Sequence, residues 1–552
     1  MENQLATNPC RSPLARLWPW LFVLVVLLFV GFIRIRLLDM PLERDEGEYA
    51  YAGQLILQGV PPYELAYNMK LPGTYFIYAL GMAVFGETSA GVHLTLMVAN
   101  ALTIIFIFLL ARKLFGTMAG LVACASYGVM SLSVPVLGMA AHATQFVVLF
   151  AVPATLLLLL ADENKRARTV FFSGLLYGLA FLMIQQGICF CLFGCFFLVW
   201  RAVANKSIFT IAFAKYGLIF GLGIVLPFVL FCLSCIVAGD FDRFWFWTFV
   251  YAHKYATMMP WSEGSQNLAG HLQQTRTMSL GLCLLAVAGL PLAWLNRSAR
   301  QQVLFVVVFW LFSFLGAAIG LYFRPHYFIL VLPAFAILIG MAVVSLRRGL
   351  SFGRMRNVLQ TLPLILFAMI LSWAVFYQAR CFFQASALDV SRTLYPRNPF
   401  IESRVAADYI RAHSAPDARI AVVGSEPEIY FYSQRHSATG YIYTYALMEP
   451  QPAALGMQQE MMREIETNRP EYLVFVPYQL SWLAKPYSNR AIFDWFDQYA
   501  GKFYKLAGFV GYNNQGDLVS GWDEASTNAP PITEEYVRVY KREADPAPIK
   551  PN

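Results

Sequence analysis

Apolar runs about as long as a bilayer is thick recur through the first 378 residues of this chain. Inside hydrocarbon a backbone N–H or C=O finds no water, so each such run has to be helical. A crossing takes roughly 17–25 mostly apolar residues. Runs near this length are 17–38, 88–110, 117–137, 143–161, 169–184, 187–202, 208–238, 278–296, 301–322, 326–346 and 357–378, about eleven spans in all. The stretch 169–202 is broken at Gln185-Gln186-Gly187 and reads as two short helices with a turn, a single tilted helix being the alternative. Segment 72–86 is apolar but short, and is expected to lie in the interface.

Charge confirms the class and gives an orientation. Charged residues make up 13% of the chain, about half the share usual in soluble domains. The net charge of +8 does not point to nucleic acid, because much of the excess lies in short loops between apolar runs. Those loops carry Arg112-Lys113, Lys165-Arg166-Arg168, Arg201 and Lys206, Arg297 and Arg300, and Arg347-Arg348 with Arg354 and Arg356, and Arg11 and Arg16 precede the first run. The positive-inside rule makes this set cytoplasmic. An odd number of spans then puts the outer loops 39–87 and 239–277, and everything after 379, on the opposite side. No cleavable signal peptide is expected, since the first run is too long for one and lacks an A-x-A site after it.

The organisation expected is a membrane domain over 1–379, an α/β domain over 380–540 and a disordered tail over 541–552. Residues 418–424 and 472–477 read as buried strands, and 400–413 and 457–467 have helical periodicity. The tail is Pro-rich and charged. Of nine cysteines, seven fall inside apolar runs. Buried there, Cys189, Cys191, Cys195, Cys232 and Cys235 read as small hydrophobes rather than metal ligands.

Against this apolar background one cluster stands out. Arg44-Asp45-Glu46-Gly47-Glu48-Tyr49 follows directly on the first run. Ionised groups at the edge of hydrocarbon are costly and tend to mark function. If 45–58 continues as a helix, Asp45 and Glu48 share a face, Tyr49 lies one turn from Asp45, and Glu46 points elsewhere. Lys70 follows in the same outer loop. A carboxylate base beside a cation suits transfer from an anionic leaving group; a solvated interfacial loop is the competing interpretation. A second cluster, Tyr322-Phe323-Arg324-Pro325-His326-Tyr327, offers a phosphate-binding fork and hydroxyl-binding donors, or an aromatic belt with a snorkelling arginine. Loop 239–277 is rich in aromatics and mostly interfacial in character, with Lys254 as a weaker phosphate contact.

The acidic pair after the first span, the Lys70-Leu71-Pro72 loop, the many spans, the Arg324-Pro325-His326-Tyr327 turn and the C-terminal α/β region together resemble the GT-C membrane glycosyltransferases. The similarity is greatest to the bacterial family-39 type, related to protein O-mannosyltransferases and the lipid A aminoarabinose transferase. It extends to Tyr395-Pro396-Arg397-Asn398-Pro399-Phe400 and Val405-Ala406-Ala407-Asp408-Tyr409-Ile410 at the start of the outer domain. The resemblance implies a GT-C membrane domain followed by a small α/β extracytoplasmic domain, set in a bacterial cytoplasmic (inner) membrane. It implies inverting transfer of a sugar from a polyprenyl-phosphate donor to a lipid, glycan or protein acceptor at the outer face.

Asp45 matches the catalytic acidic position and Glu46 its neighbour, with Glu48 as a second carboxylate. Lys70, Arg324, His326, Tyr327 and Lys254 are assigned to the donor phosphate, and Tyr49, His142 and Gln145 to substrate. No cofactor is certain from these residues; a divalent cation, Mg or Mn, is the candidate. The chain departs from relatives in carrying His142, Thr144 and Gln145 where an acidic residue is common, Ile184-Gln185-Gln186 where a lysine is, and Glu48 where the aminoarabinose transferase has an arginine. Two other classes fit the composition. A transporter or flippase of lipid-linked saccharide would call for matched broken spans in two halves, which the sequence does not show. A membrane-anchored ligand-binding sensor would not need so many spans.

Overall fold

The computed structural model describes residues 13–164, 166–350, 356–529 and 535–543. Arg11, Lys165, Arg354 and most of the 541–552 tail therefore lie outside the described residues.

Among the described residues nine helices are long and apolar enough to cross a membrane: Leu17–Arg36, Ser89–Phe115, Ala143–Asn164, Gln185–Ala204, Ile211–Ala238, Trp261–Leu295, Arg297–Ala318, Leu332–Gly349 and Arg356–Tyr377. Three shorter apolar helices, Gly73–Phe85, Thr117–Met130 and Ala167–Met183, pack among them. The eleven apolar runs are all helical: nine are these long helices, and 117–137 and 169–184 contain the shorter helices Thr117–Met130 and Ala167–Met183. The run 117–137 stops as a helix at Met130 because Pro135 cannot continue it, and a 3-10 turn, Val134–Val136, follows. The run 169–202 is two helices, separated by the 3-10 turn Gln185–Gly187. The expected loop 239–277 is largely helical: Pro260 precedes a 35-residue helix that begins at Trp261.

The segments that build the site are α1 (Pro13–Arg36), α2 (Arg44–Leu57) and α3 (Gly73–Phe85). Buried Arg34, near the end of α1, donates to the Ser131 and Gly138 carbonyls at 3.3 and 3.2 Å. These are backbone acceptors that the broken 131–138 segment leaves without helical partners.

The C-terminal part is a six-stranded sheet of β1 (Arg419–Val423), β2 (His436–Ser437), β3 (Tyr472–Phe475), β4 (Tyr504–Tyr512), β5 (Leu518–Trp522) and β6 (Tyr536–Arg542). Its order is β2-β1-β3-β6-β4-β5. β1 pairs parallel with β2 and β3, whereas β6 pairs antiparallel with β3 and β4. β1 and β3 are apolar throughout their interior, as central strands covered on both faces must be. Helices Phe400–His413 and Ala454–Asn468 agree with the periodicity of the sequence.

Candidate active site

Helix α2 opens with a capping box. The Glu43 carboxylate accepts from the Glu46 amide at 3.0 Å, and Glu46 accepts from the Glu43 amide at 3.1 Å. Two of the helix's unpaired amides are satisfied in this way. From that start, successive residues point in three directions, because a helix turns about 100° per residue.

Asp45 and Tyr49 face Lys70. The ammonium donates to Asp45 Oδ1 at 2.9 Å and to the Tyr49 hydroxyl at 3.0 Å, and lies 4.9 Å from the Tyr49 ring centre. Glu48 approaches from the flank, 3.7 Å from Lys70 Nζ. Its carboxylate is fully buried and takes hydrogen bonds from Tyr75 and Asn68, each at 2.7 Å. The Lys70 loop is itself pinned: Tyr63 donates to the Lys70 carbonyl at 2.8 Å, and Gln185 to the Met69 carbonyl at 2.6 Å. Burial alone would raise the Asp45 pKa, but Lys70 and then His326 and His142 hold it well below the ordinary carboxylate range. Burial pushes Glu48 up to about 7. Burial opposes the Lys70 charge, yet Asp45, Tyr49 and Glu48 keep its pKa well above normal.

Glu46 turns away. It meets His93 Nε2 at 3.2 Å and accepts the Ala141 amide at 2.6 Å. Removing it would leave a buried amide unpaired, at about 1–3 kcal/mol. It therefore holds α2 against the 138–142 segment and does not face the cavity.

That segment brings in His142. Its Nε2 lies 3.1 Å from the Tyr395 hydroxyl, and its buried Nδ1 has no hydrogen-bond partner, with Glu43 Oε1 3.5 Å away. The ring stacks on His326, centroids 4.2 Å apart and planes 14° from parallel. Thr144 fixes the second ring's backbone by donating to the His326 carbonyl at 2.9 Å. Asp45, His142 and His326 each present one ligand atom, all within 4.8 Å of one another. Burial lowers the pKa of both histidines, in His326 with help from the neighbouring His142, while the Asp45 carboxylate opposes the shift in both. This buried Asp/His/His set can hold a divalent cation.

These groups line a cavity of about 260 Å³ that also takes in Tyr49, Lys70, Arg324 and Tyr327. Seven of the eleven residues singled out from sequence thus meet on one cavity. Glu46, Glu48, Gln145 and Lys254 do not line it. Gln145 is spent on the Gly138 carbonyl at 3.2 Å. Glu46, expected in catalysis, and Gln145 and Lys254, expected at substrate and phosphate, thus lie off this cavity. Glu48 touches Lys70 from behind the cavity wall.

The C-terminal part closes the other side with Tyr443, Tyr445 and Glu449. Glu449 accepts from Tyr251, and burial raises its pKa to about 7. A second cavity of about 600 Å³ adjoins the first and shares Tyr255, Arg324, Tyr445 and Glu449 with it. Tyr395 and Asn398 also reach the first cavity. The sequence carried a signal for the tyrosines, which alternate at 441, 443 and 445.

A family model described as "Dolichyl-phosphate-mannose-protein mannosyltransferase" matches residues 69–231. The chain is 31% identical over 350 residues to the undecaprenyl phosphate-alpha-4-amino-4-deoxy-L-arabinose arabinosyl transferase of Pseudomonas aeruginosa, covering 59% of this chain and 60% of that protein. The match thus spans three fifths of the length of this curated relative. Among solved structures, ArnT from Cupriavidus metallidurans bound to undecaprenyl phosphate superimposes with a TM-score of 0.58 at 16% identity, over 83% of this chain and 93% of that one. The Archaeoglobus fulgidus oligosaccharyltransferase in its apo form gives 0.51 at 13% identity, over 95% and 76%. At these identities the structural likeness is one of fold.

Proposed function

Starting from a chain that has the GT-C fold and is related to ArnT- and protein-mannosyltransferase-type proteins, we propose that it moves a sugar from a polyprenyl-phosphate donor to an envelope acceptor, with inversion. The observation that carries this reading is the Asp45–Lys70 pair, 2.9 Å apart, on the wall of a cavity that also presents Arg324. Base and phosphate-binding cations are there within one chamber.

Lys70 and Arg324 receive the donor phosphate, Arg324 through its fork. As the phosphate takes up the Lys70 ammonium, the Asp45 carboxylate is released to accept a proton. The acceptor hydroxyl oxygen attacks the anomeric carbon; its proton passes to Asp45, the carbon–oxygen bond to phosphate breaks, and polyprenyl phosphate leaves with the electron pair. The tyrosines around the cavity present hydroxyls and ring faces to the sugar. Asp45, His142 and His326 would hold a divalent cation, and such a cation supplies Lewis-acid stabilisation of developing negative charge. Two imidazoles in the donor set favour Mn over Mg.

The basic loops support a reading in which the tail and cavity face the extracytoplasmic side of a bacterial inner membrane. Nucleotide-activated sugars are absent from that side, and a lipid-linked donor meets the protein at the bilayer surface. The test is direct. Purified full-length protein is given radiolabelled polyprenyl-phosphate sugar with an envelope-lipid extract, alongside Asp45→Asn. Label transferred by the parent protein and lost in the variant supports the reading. Equal transfer by both removes Asp45 from the reaction, and translocation without transfer would make the protein a carrier.

A further inference from the structure

The third face of α2 is turned to the C-terminal part. Arg44, Gly47 and Tyr51 lie on it at i, i+3 and i+7. Arg44 Nη2 bonds Glu426 Oε1 at 2.9 Å, Nη1 donates to the Tyr445 hydroxyl at 2.8 Å, and Nε donates to the Ser425 carbonyl. The guanidinium also sits over the Phe400 and Tyr445 rings, at 5.5 and 5.4 Å. All of these partners follow residue 399. Glu426 is held in turn: its other oxygen accepts from Ser481 Oγ at 2.7 Å, and Ser481 Oγ accepts the Ser425 amide at 2.8 Å. The two charged side chains are 8% and 0% exposed. One turn on, Gly47 lies so close that an added Cβ would come 2.6 Å from the Glu428 backbone nitrogen. Tyr51 accepts the Ser437 amide at 2.7 Å and stacks on Tyr430.

Residues 37–43 and 58–72, on either side of α2, form no helix or strand. The helix is therefore oriented by what its faces touch. A guanidinium with all three nitrogens engaged has little freedom left, and Arg44 immediately precedes Asp45.

We propose that Glu426 is a positioning residue: acting through Arg44, it fixes the first turn of α2 and so the Asp45 carboxylate relative to Lys70, His142 and His326. The proposal rests on the role given to Asp45 above. The turn Gly424-Ser425-Glu426-Pro427-Glu428, which reads in sequence as a structural turn without a phosphate fingerprint, is on this view part of the reaction centre's support. Displacing a reacting group by an ångström costs about a hundredfold in rate, so a brace on the residue next to the base has kinetic consequences.

The experiment compares full-length protein in detergent with Glu426→Gln, Glu426→Asp and, as control, Glu471→Gln, whose carboxylate sits in a loose surface pair with Lys541. Two readouts are taken: amide hydrogen exchange across 44–50, and transfer kinetics with a polyprenyl-phosphate sugar. In Glu426→Gln, exchange across 44–50 should rise at least about tenfold and kcat should fall about ten- to a hundredfold. The donor KM should stay within about twofold. Glu426→Asp should recover most of the loss, and Glu471→Gln should match the parent. Unchanged exchange across 44–50, or a kcat within about twofold of the parent, overturns the proposal. So does an equal loss in Glu471→Gln. If Glu426→Gln does not fold, Glu426→Asp decides: faster α2 exchange with a lower kcat supports the brace, and parental behaviour in both overturns it. If the parent transfers no sugar at all, the functional reading falls, and the exchange data still decide whether Glu426 holds α2.

Discussion

The His142 and His326 imidazoles lie face to face, 4.2 Å apart, and one ligand atom from each lies within 4.8 Å of the other and of an Asp45 carboxylate oxygen. Two imidazoles and a carboxylate converging in this way form a donor set suited to a divalent cation. Chelator-stripped protein should therefore take up about one Mn²⁺ per chain, read by electron paramagnetic resonance. His142→Ala and His326→Ala should each weaken uptake by at least about tenfold. Identical uptake by the parent and both variants would rule the site out.

Asp45→Asn keeps the shape of the side chain and removes its capacity to take a proton. Turnover should fall by about 10²–10⁴-fold. Binding of undecaprenyl phosphate, followed by tryptophan fluorescence, should change little, because Lys70 loses a competitor rather than a partner. A variant that binds the lipid normally and still turns over at the parental rate would contradict the assignment.

Lys70→Ala and Arg324→Lys should separate from Asp45→Asn in the opposite sense. Each loses charge-assisted hydrogen bonds to phosphate, about 1.5–3 kcal/mol apiece, so the donor KM should rise about ten- to a hundredfold. Arg324→Lys keeps the charge but not the fork. Parental affinity for undecaprenyl phosphate in both variants would place the phosphate elsewhere.

Glu428 is buried beneath α2 with neither carboxylate oxygen hydrogen-bonded. Burial, followed by the nearby Glu426 charge, pushes its pKa up to about 8. The unfolded chain releases this proton near pH 4.3, so the folded state holds one proton more between there and about pH 8. This group's contribution is fully present at low pH and declines as pH rises through that window. Glu428→Gln should flatten the decline and raise the melting temperature at pH 8 while leaving it nearly unchanged at pH 5. A parallel pH–stability curve for the two proteins would exclude the effect.

What was legible in the sequence was what local pattern controls. Phe400–His413 and the strands β1 and β3 follow their periodicity, and α2 begins where the acidic cluster does. The turn of Glu46 away from Asp45 and Glu48, which both reach Lys70, follows from helical spacing alone. Two features were not legible. Length and apolarity do not distinguish a short helix from a span, so 117–137 overran its true end. Nor does any local rule say that Gln145 would be taken by the Gly138 carbonyl, or that Tyr443, Tyr445 and Glu449 would cross some 400 residues of chain to meet Asp45. Those contacts are set by tertiary packing.

Tyr67, in the first loop, donates its amide to the Gly440 carbonyl at 2.6 Å, and a side chain at 440 would strike the Tyr67 ring. Together with the Arg44–Glu426 pair, this makes the loop and the tail a single interlocked joint. A graft of the tail from a relative will succeed only when the loop over residues 40–72 travels with it. Exchange of the tail alone is accordingly closed to this architecture. Changes at this seam have to be made in step on both sides.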